Sequence, residues 1–189
     1  MTPTSAIVLG LLDRLGEASA YDLKRAAEQS LGNFWSTPHS QVYRTADQLA
    51  ADGLLVARTE TTSGGRARTI YRLTRRGRSA LRAWQNEPLA ALPELRDPAL
   101  LKLHFGADLA TLAAAQLAAH RAQLESYAAR QQLDTGEGPR GPWLTLRAGI
   151  LHEQVWVQFW QELRSAAEAP SPIRDGIGRV SGRSAGRES

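Results

Sequence analysis

The feature that most restricts the fold is a single pair of β-prone runs, Leu54–Thr61 and Thr69–Thr74, on either side of Ser63-Gly64-Gly65. Two such runs around a Gly-Gly turn predict a β-hairpin, because glycine adopts the positive φ that tight hairpin turns need. A lone hairpin is marginal in water, so it must pack on something. What precedes it is three short helical patterns. Residues 6–12 read as a buried helix stopping near Gly16. Ser19 caps a second helix over about 20–31, with Asp22 placed to return the bond. Leu23, Ala26, Ala27 and Leu31 turn inward there, and Gly32 ends the helix as a residue free to take positive φ. Thr37-Pro38 opens the third helix, with Pro38 at its first position, and Gly53 closes it after Asp52. At about 100° per residue, Val42, Ala46 and Leu49 line one face of it. Ser40, Arg44 and Asp47 lie opposite, with Gln41, Tyr43 and Gln48 on the flanks.

Three short helices followed by a two-stranded hairpin is the element order of a winged helix-turn-helix. The pattern then returns to helical over 75–84. A Pro-punctuated stretch, 87–98, leads to three further helical runs at 98–105, about 108–132 and about 142–168. From 169 onward Pro, Gly, Ser and Arg dominate, the composition of a disordered tail. The expected fold class is mainly α (α+β). A winged helix-turn-helix domain over 1–86 precedes a helical dimerisation or effector domain over 87–168, and a basic tail follows over 169–189.

Charge narrows the function. The net charge over 189 residues is +4, but it is uneven: residues 54–84 hold eight Lys/Arg against one Asp/Glu, whereas 1–53 hold four against six. Concentrated arginine is the footprint of a phosphate-binding surface; a solvated face is the competing reading. Cysteine is absent, which removes disulfides, thiolate metal sites and a thiol nucleophile. No 18-residue apolar run suggests a membrane span, and no basic run precedes the first apolar stretch as in a signal peptide. A soluble, cytoplasmic protein is expected. Gly-x-Ser-x-Gly, the phosphate-loop Gly-Lys-Ser/Thr and His-Glu-x-x-His are all missing, so no enzyme and no cofactor are expected.

The third helix is polar outward and short enough to enter a major groove, and its first turn bears N–H groups suited to phosphate. Ser40, Gln41, Tyr43 and Arg44 are the hydrogen-bonding side chains near that end. Arg66 and Arg68 sit at the hairpin tip, where a wing lies along the backbone or dips into a minor groove. His39 and Lys24 complete the DNA-binding candidates. The partner expected is double-stranded DNA; a winged-helix module that binds protein instead is the alternative.

The last helical run is apolar on two sides: Trp143, Leu146, Ile150, Val157 and Trp160 on one, Leu144, Leu151, Val155 and Phe159 on the other. Such an element needs two partners, and a second subunit fits the second side. Phe105, Trp143, Ile150, Trp156, Val157, Phe159 and Trp160 are candidates for dimerisation or for a small aromatic effector. His104, His120 and His152 are scattered singly, a spacing that does not suggest a metal site.

Several pieces in order also resemble the PadR family of transcriptional regulators. They are Tyr21-Asp22-Leu23-Lys24, Gly32-Asn33-Phe34-Trp35, Ser40-Gln41-Val42-Tyr43-Arg44, the stretch Leu49 to Leu55, and Arg68 to Gly77. The likeness covers about 5–84, and Arg96-Asp97-Pro98 resembles the start of the C-terminal virulence-regulator-like domain of longer members. Ala46 departs from the pattern, since Leu is usual there. The resemblance implies a homodimer on a roughly palindromic operator, usually as a repressor. It puts Ser40, Tyr43 and Arg44 on the DNA-facing helix and Arg66 and Arg68 on the wing.

Overall fold

The computed structural model describes residues 1–32, 34–61, 67–135, 137 and 139–169. The chain divides into two compact units, Met1–Pro93 and Glu94–Ser189.

In the first unit, α1 (Pro3–Leu15) is capped by Thr2, whose hydroxyl accepts from the Ser5 N–H at 3.2 Å. A strand follows that the sequence reading treats only as a helix cap, β1 (Glu17–Ser19). Ser19 ends that strand and caps α2 (Ala20–Leu31), and the full reciprocal box with Asp22 forms as expected. The hydrogen bond from the Ser19 hydroxyl holds the Asp22 carboxyl below its ordinary range. Gly32 closes α2 for another reason than positive φ: its φ is −53°, and a Cβ there would lie 2.5 Å from the Glu28 carbonyl oxygen. The requirement is close backbone approach.

Helix α3 spans His39–Ala51. Pro38 is its cap, with extended ψ of 138°, and not its first helical residue. Two long strands, β2 (Leu55–Thr61) and β3 (Ala67–Leu73), pair antiparallel from Leu55↔Leu73 to Thr61↔Ala67. β1 adds to the far edge of β3, giving the order β1-β3-β2. Helix α4 (Arg75–Asn86) starts at Thr74, whose hydroxyl accepts from the Gly77 N–H at 2.9 Å. A Cβ on Gly77 would sit 2.2 Å from the Leu54 carbonyl oxygen, so only glycine lets α4 meet the strand start this closely.

One core holds the unit together: Val8, Leu9, Leu12, Leu23 and Val42 are fully buried, joined by Ala46, Leu49, Leu55, Tyr71, Leu73 and Leu81. Ala46 keeps the inward place its helical position predicts, with no exposure.

The second unit contains α5 (Pro98–His104), α6 (Leu109–Gln132) and α7 (Arg140–Glu168). Asp97 and Asp108 cap the first two, accepting from Ala99 N–H at 2.7 Å and Thr111 N–H at 2.9 Å. α6 and α7 run antiparallel, His120 meeting Glu153 and Tyr127 lying over Gly149. On α6 the buried stripe is Ala113, Leu117 and Tyr127, with Leu109, Leu112, His120 and Leu124 only partly covered. On α7, Trp143, Leu146, Ile150, Glu153, Val157, Trp160 and Arg164 turn inward at alternating three- and four-residue steps. On its other side Leu144, Leu151 and Val155 are 54%, 47% and 65% exposed; Phe159, expected on that side, is instead partly covered, its ring 5.0 Å from that of Trp160. Among the described residues no helix is long and apolar enough to cross a membrane. The hairpin tip at 62–66 and the tail at 170–189, expected as a Gly-Gly turn and a disordered stretch, lie outside the described residues.

Candidate nucleic-acid interface

Helix α3 is built to show one face and hide the other. Val42, Ala46 and Leu49 anchor it in the core, and each is at most 5% exposed. Ser40, Arg44 and Asp47, one helical turn apart in succession, therefore fall within an arc of about 60° on the outer side. Ser40, Gln41, Tyr43, Arg44 and Asp47 are all exposed. Arg44 folds its Nε toward the Ser40 carbonyl oxygen at 3.3 Å, and no carboxylate pairs with it among the described residues. It is a cation free to meet an outside acceptor.

Lys24, His39 and Arg68, also expected at the interface, have carboxylate partners. Lys24 lies 3.7 Å from Glu28, and His39 Nε2 lies 2.8 Å from the same Glu28 oxygen. Glu28 thus ties α2 to the first residue of α3 across the helix-turn-helix and offsets both groups. In the hairpin, Arg68 donates to Glu60 at 3.1 Å, and Glu60 also takes Arg58, which reaches Glu17 on β1 at 2.8 Å. The Arg58 hydrogen bond, then that of Arg68, holds the exposed Glu60 carboxyl below its ordinary range; the Glu60 and Glu17 bonds raise the Arg58 guanidinium. Such surface pairs stiffen a hairpin only weakly, but they lower the free charge of the wing. Arg66 lies outside the described residues.

A bond the sequence reading does not foresee braces α3 from below. The Tyr71 hydroxyl, on the central strand β3, donates to Asp47 Oδ1 at 2.5 Å. Tyr71 is 3% exposed. Burial, and then the Asp47 carboxylate, push its hydroxyl up to about 12, so it stays a donor at any ordinary pH. The only sequence signal is the inward place of Tyr71 in the alternation Ile70-Tyr71-Arg72-Leu73; its partner is 24 residues away. The Glu60–Arg68 pair was within reach, because counting outward from the turn sets those two residues opposite each other.

In the second unit, Trp156, Phe159 and Trp160 form one aromatic group, with centroids 5.0–6.4 Å apart. Val157 and Phe159 pack at the edge of the Ala99–Ala113–Leu117–Trp160 core, and Ile150 is buried further along α7. Trp143 stands apart: about 20 Å of helix separates it from Trp156, and Arg140 lies 5.1 Å over its ring. Phe105 is 77% exposed and its ring meets only His104 among the described residues. Within this chain neither of these two candidates neighbours Trp156 among the described residues.

Two of the scattered histidines instead converge on Trp156. His120 stacks on it at 5.7 Å, and the Trp156 indole N–H donates to His152 Nε2 at 2.9 Å. His120 Nδ1 lies 2.5 Å from Glu153 Oε2, a largely buried pair joining α6 to α7. Among the described residues no three His, Cys, Asp or Glu side chains gather as a metal site.

Comparison with known proteins fits both units. The Transcriptional regulator PadR-like family model matches residues 8–83, and the Virulence activator alpha C-term model matches 95–168. The chain is 36% identical over 101 residues to the Negative transcriptional regulator PadR of Bacillus subtilis, covering 52% of this chain and 53% of that protein. The matched stretches span about half the length of the curated relatives. The crystal structure of Bacillus subtilis PadR in complex with operator DNA superposes with a TM-score of 0.78 at 26% identity, over 86% of this chain and 98% of that one. The same protein in complex with p-coumaric acid gives 0.73 at 26% identity, over 87% and 98%. With a winged helix-turn-helix unit under the first family model and a helical unit under the second, the chain belongs to the PadR-like family of transcriptional regulators.

Proposed function

We propose that this chain binds double-stranded DNA sequence-specifically, as a homodimer on a palindromic operator, and represses transcription. One observation carries the reading: α3 presents Ser40, Gln41, Tyr43 and an unpaired Arg44 on a face braced from behind by the core and from below by Tyr71. Arg44 suits a guanine edge or a phosphate. Arg66 and Arg68 follow the backbone from the wing, and Lys24 and His39 contribute once phosphate competes with Glu28 for them. The likeness to a PadR crystallised on operator DNA supports the duplex as partner, and the name of the negative regulator supports repression.

Pairing through the open side of α7 supplies the twofold symmetry. Leu144, Leu151 and Val155 lie on that side, and apolar side chains left this exposed favour a second copy. A small aromatic acid is the proposed effector, by analogy with the p-coumaric acid bound by PadR. Trp156, flanked by His120 and His152, offers it a stacking surface beside polar groups. The role is non-enzymatic and the setting cytoplasmic.

The test is selection of duplexes from a random pool, followed by binding at fixed salt. Arg44→Ala is expected to weaken the selected duplex at least about tenfold. Arg68→Ala, already paired to Glu60, is expected to cost less. A partner contact that survives high salt with no duplex binding would favour the protein-interaction reading instead.

A further inference from the structure

An acidic side chain on the face proposed to meet DNA needs a reason, because phosphates repel it. Asp47 is exposed and shares the outer stripe of α3 with Ser40 and Arg44. Its Oδ1 is held by the Tyr71 hydroxyl at 2.5 Å, and its Oδ2 has no hydrogen-bond partner among the described residues. Gln48, the next residue, donates to Asp52 at 2.9 Å and so is turned away along the helix. Tyr71 is rooted in the central strand between Ala18 and Ala57, which fixes where its hydroxyl stands. The carboxylate is therefore pinned by one oxygen and offers the other in a defined place.

We propose that Asp47 is a specificity-determining residue: its free carboxylate oxygen accepts a hydrogen bond from a cytosine N4 amine in the major groove, and Tyr71 is the positioning residue that aims it. The chemistry selects the base. Guanine presents only acceptors in the major groove and thymine an acceptor and a methyl group, which a carboxylate avoids. Cytosine presents a donor, whereas the adenine donor sits beside the N7 acceptor, an arrangement suited to an amide and not to a carboxylate. Arg44 and Asp47 are separated by about 4.5 Å along the helix axis, near the spacing of about 3.4 Å between stacked base pairs. Arg44 toward a guanine and Asp47 toward a cytosine on neighbouring pairs satisfies both groups.

This inference rests on the DNA-binding reading above, and the experiment separates the two. Duplexes selected by the unmodified full chain are compared with those selected by Asp47→Ala, Asp47→Asn and Tyr71→Phe, each variant checked for an unchanged circular dichroism spectrum. The unmodified chain is expected to require cytosine at one position of each half-site. Asp47→Ala loses that preference by about tenfold and keeps the others. Asp47→Asn, which retains an acceptor for Tyr71 and gains a donor, moves the preference at that position toward adenine. Tyr71→Phe blurs the same position alone. Identical selected sequences for Asp47→Ala and the unmodified chain overturn the proposal, as does an affinity gain equal for all sequences, which marks Asp47 as a mere repellent of phosphate. If the unmodified chain selects no sequence, the DNA-binding reading falls and this one with it.

Discussion

The two units solve the burial problem differently. In the first, four helices and a small sheet enclose one core, and the side chains of α3 that point inward are all covered by the same chain. In the second, only Ala99, Ala113, Leu117 and Trp160 make up the buried cluster, while three large apolar side chains of α7 face outward. The Trp160 indole N–H also lacks an acceptor among the described residues. The first unit is complete within one chain and spends its exposed surface on polar groups. The second reads as half of something, which suits an element whose proposed work is to join two chains.

That contrast can be strained, beginning with the largest effect. Trp160→Ala removes the largest fully buried side chain of the second core and is expected to cost about 3–5 kcal/mol. Urea unfolding of the full chain should show the loss in a transition that leaves the winged unit folded. A single unchanged transition would mean that the units do not differ as described. Next, Leu151→Glu on the open side of α7 is expected to leave the fold intact and to weaken self-association by about 1.5–3 kcal/mol. Sedimentation over a dilution series reads this directly, and an unshifted midpoint would place the pairing elsewhere.

A smaller effect tests the brace inside the first unit. Tyr71→Phe is expected to cost about 1–2 kcal/mol. The Tyr71 hydroxyl titrates near 10 when unfolded and at about 12 when folded, so its contribution is full below pH 10 and is lost as pH rises toward 12. Stability of the unmodified chain should fall across that window more steeply than that of Tyr71→Phe; parallel curves would remove the brace. Smallest of all, Glu60→Gln removes the carboxylate charge that Arg58 and Arg68 share in the wing, leaving Arg58 on Glu17 and Arg68 without its ion-pair partner. It should leave stability unchanged and steepen the salt dependence of duplex binding.

Much of this was legible in the sequence where local rules act. The Ser19–Asp22 box, the hairpin and, Phe159 apart, the two-sided pattern of α7 each follow from local spacing. What escaped depends on contacts between elements. β1 is three residues long and reads as a cap because Ser19 serves as both. Lys24 and His39 read as DNA-binding candidates, and only the fold shows Glu28 between them. Phe105 and Trp143 were grouped with Trp156 by residue type, but distance along a helix separates Trp143, and Phe105 sits just past the end of α5. Tyr71 and Asp47 meet only after the hairpin folds back under α3.

The most direct test is the mass of the full chain bound to a short duplex selected from a random pool, measured by light scattering at fixed salt. Two chains per duplex are expected, with the selected sequence repeating about its centre, and Leu151→Glu should lower both the occupancy and the affinity. One chain per duplex for the unmodified protein, on a site without symmetry, would contradict a winged unit presented in pairs by the helices that follow it.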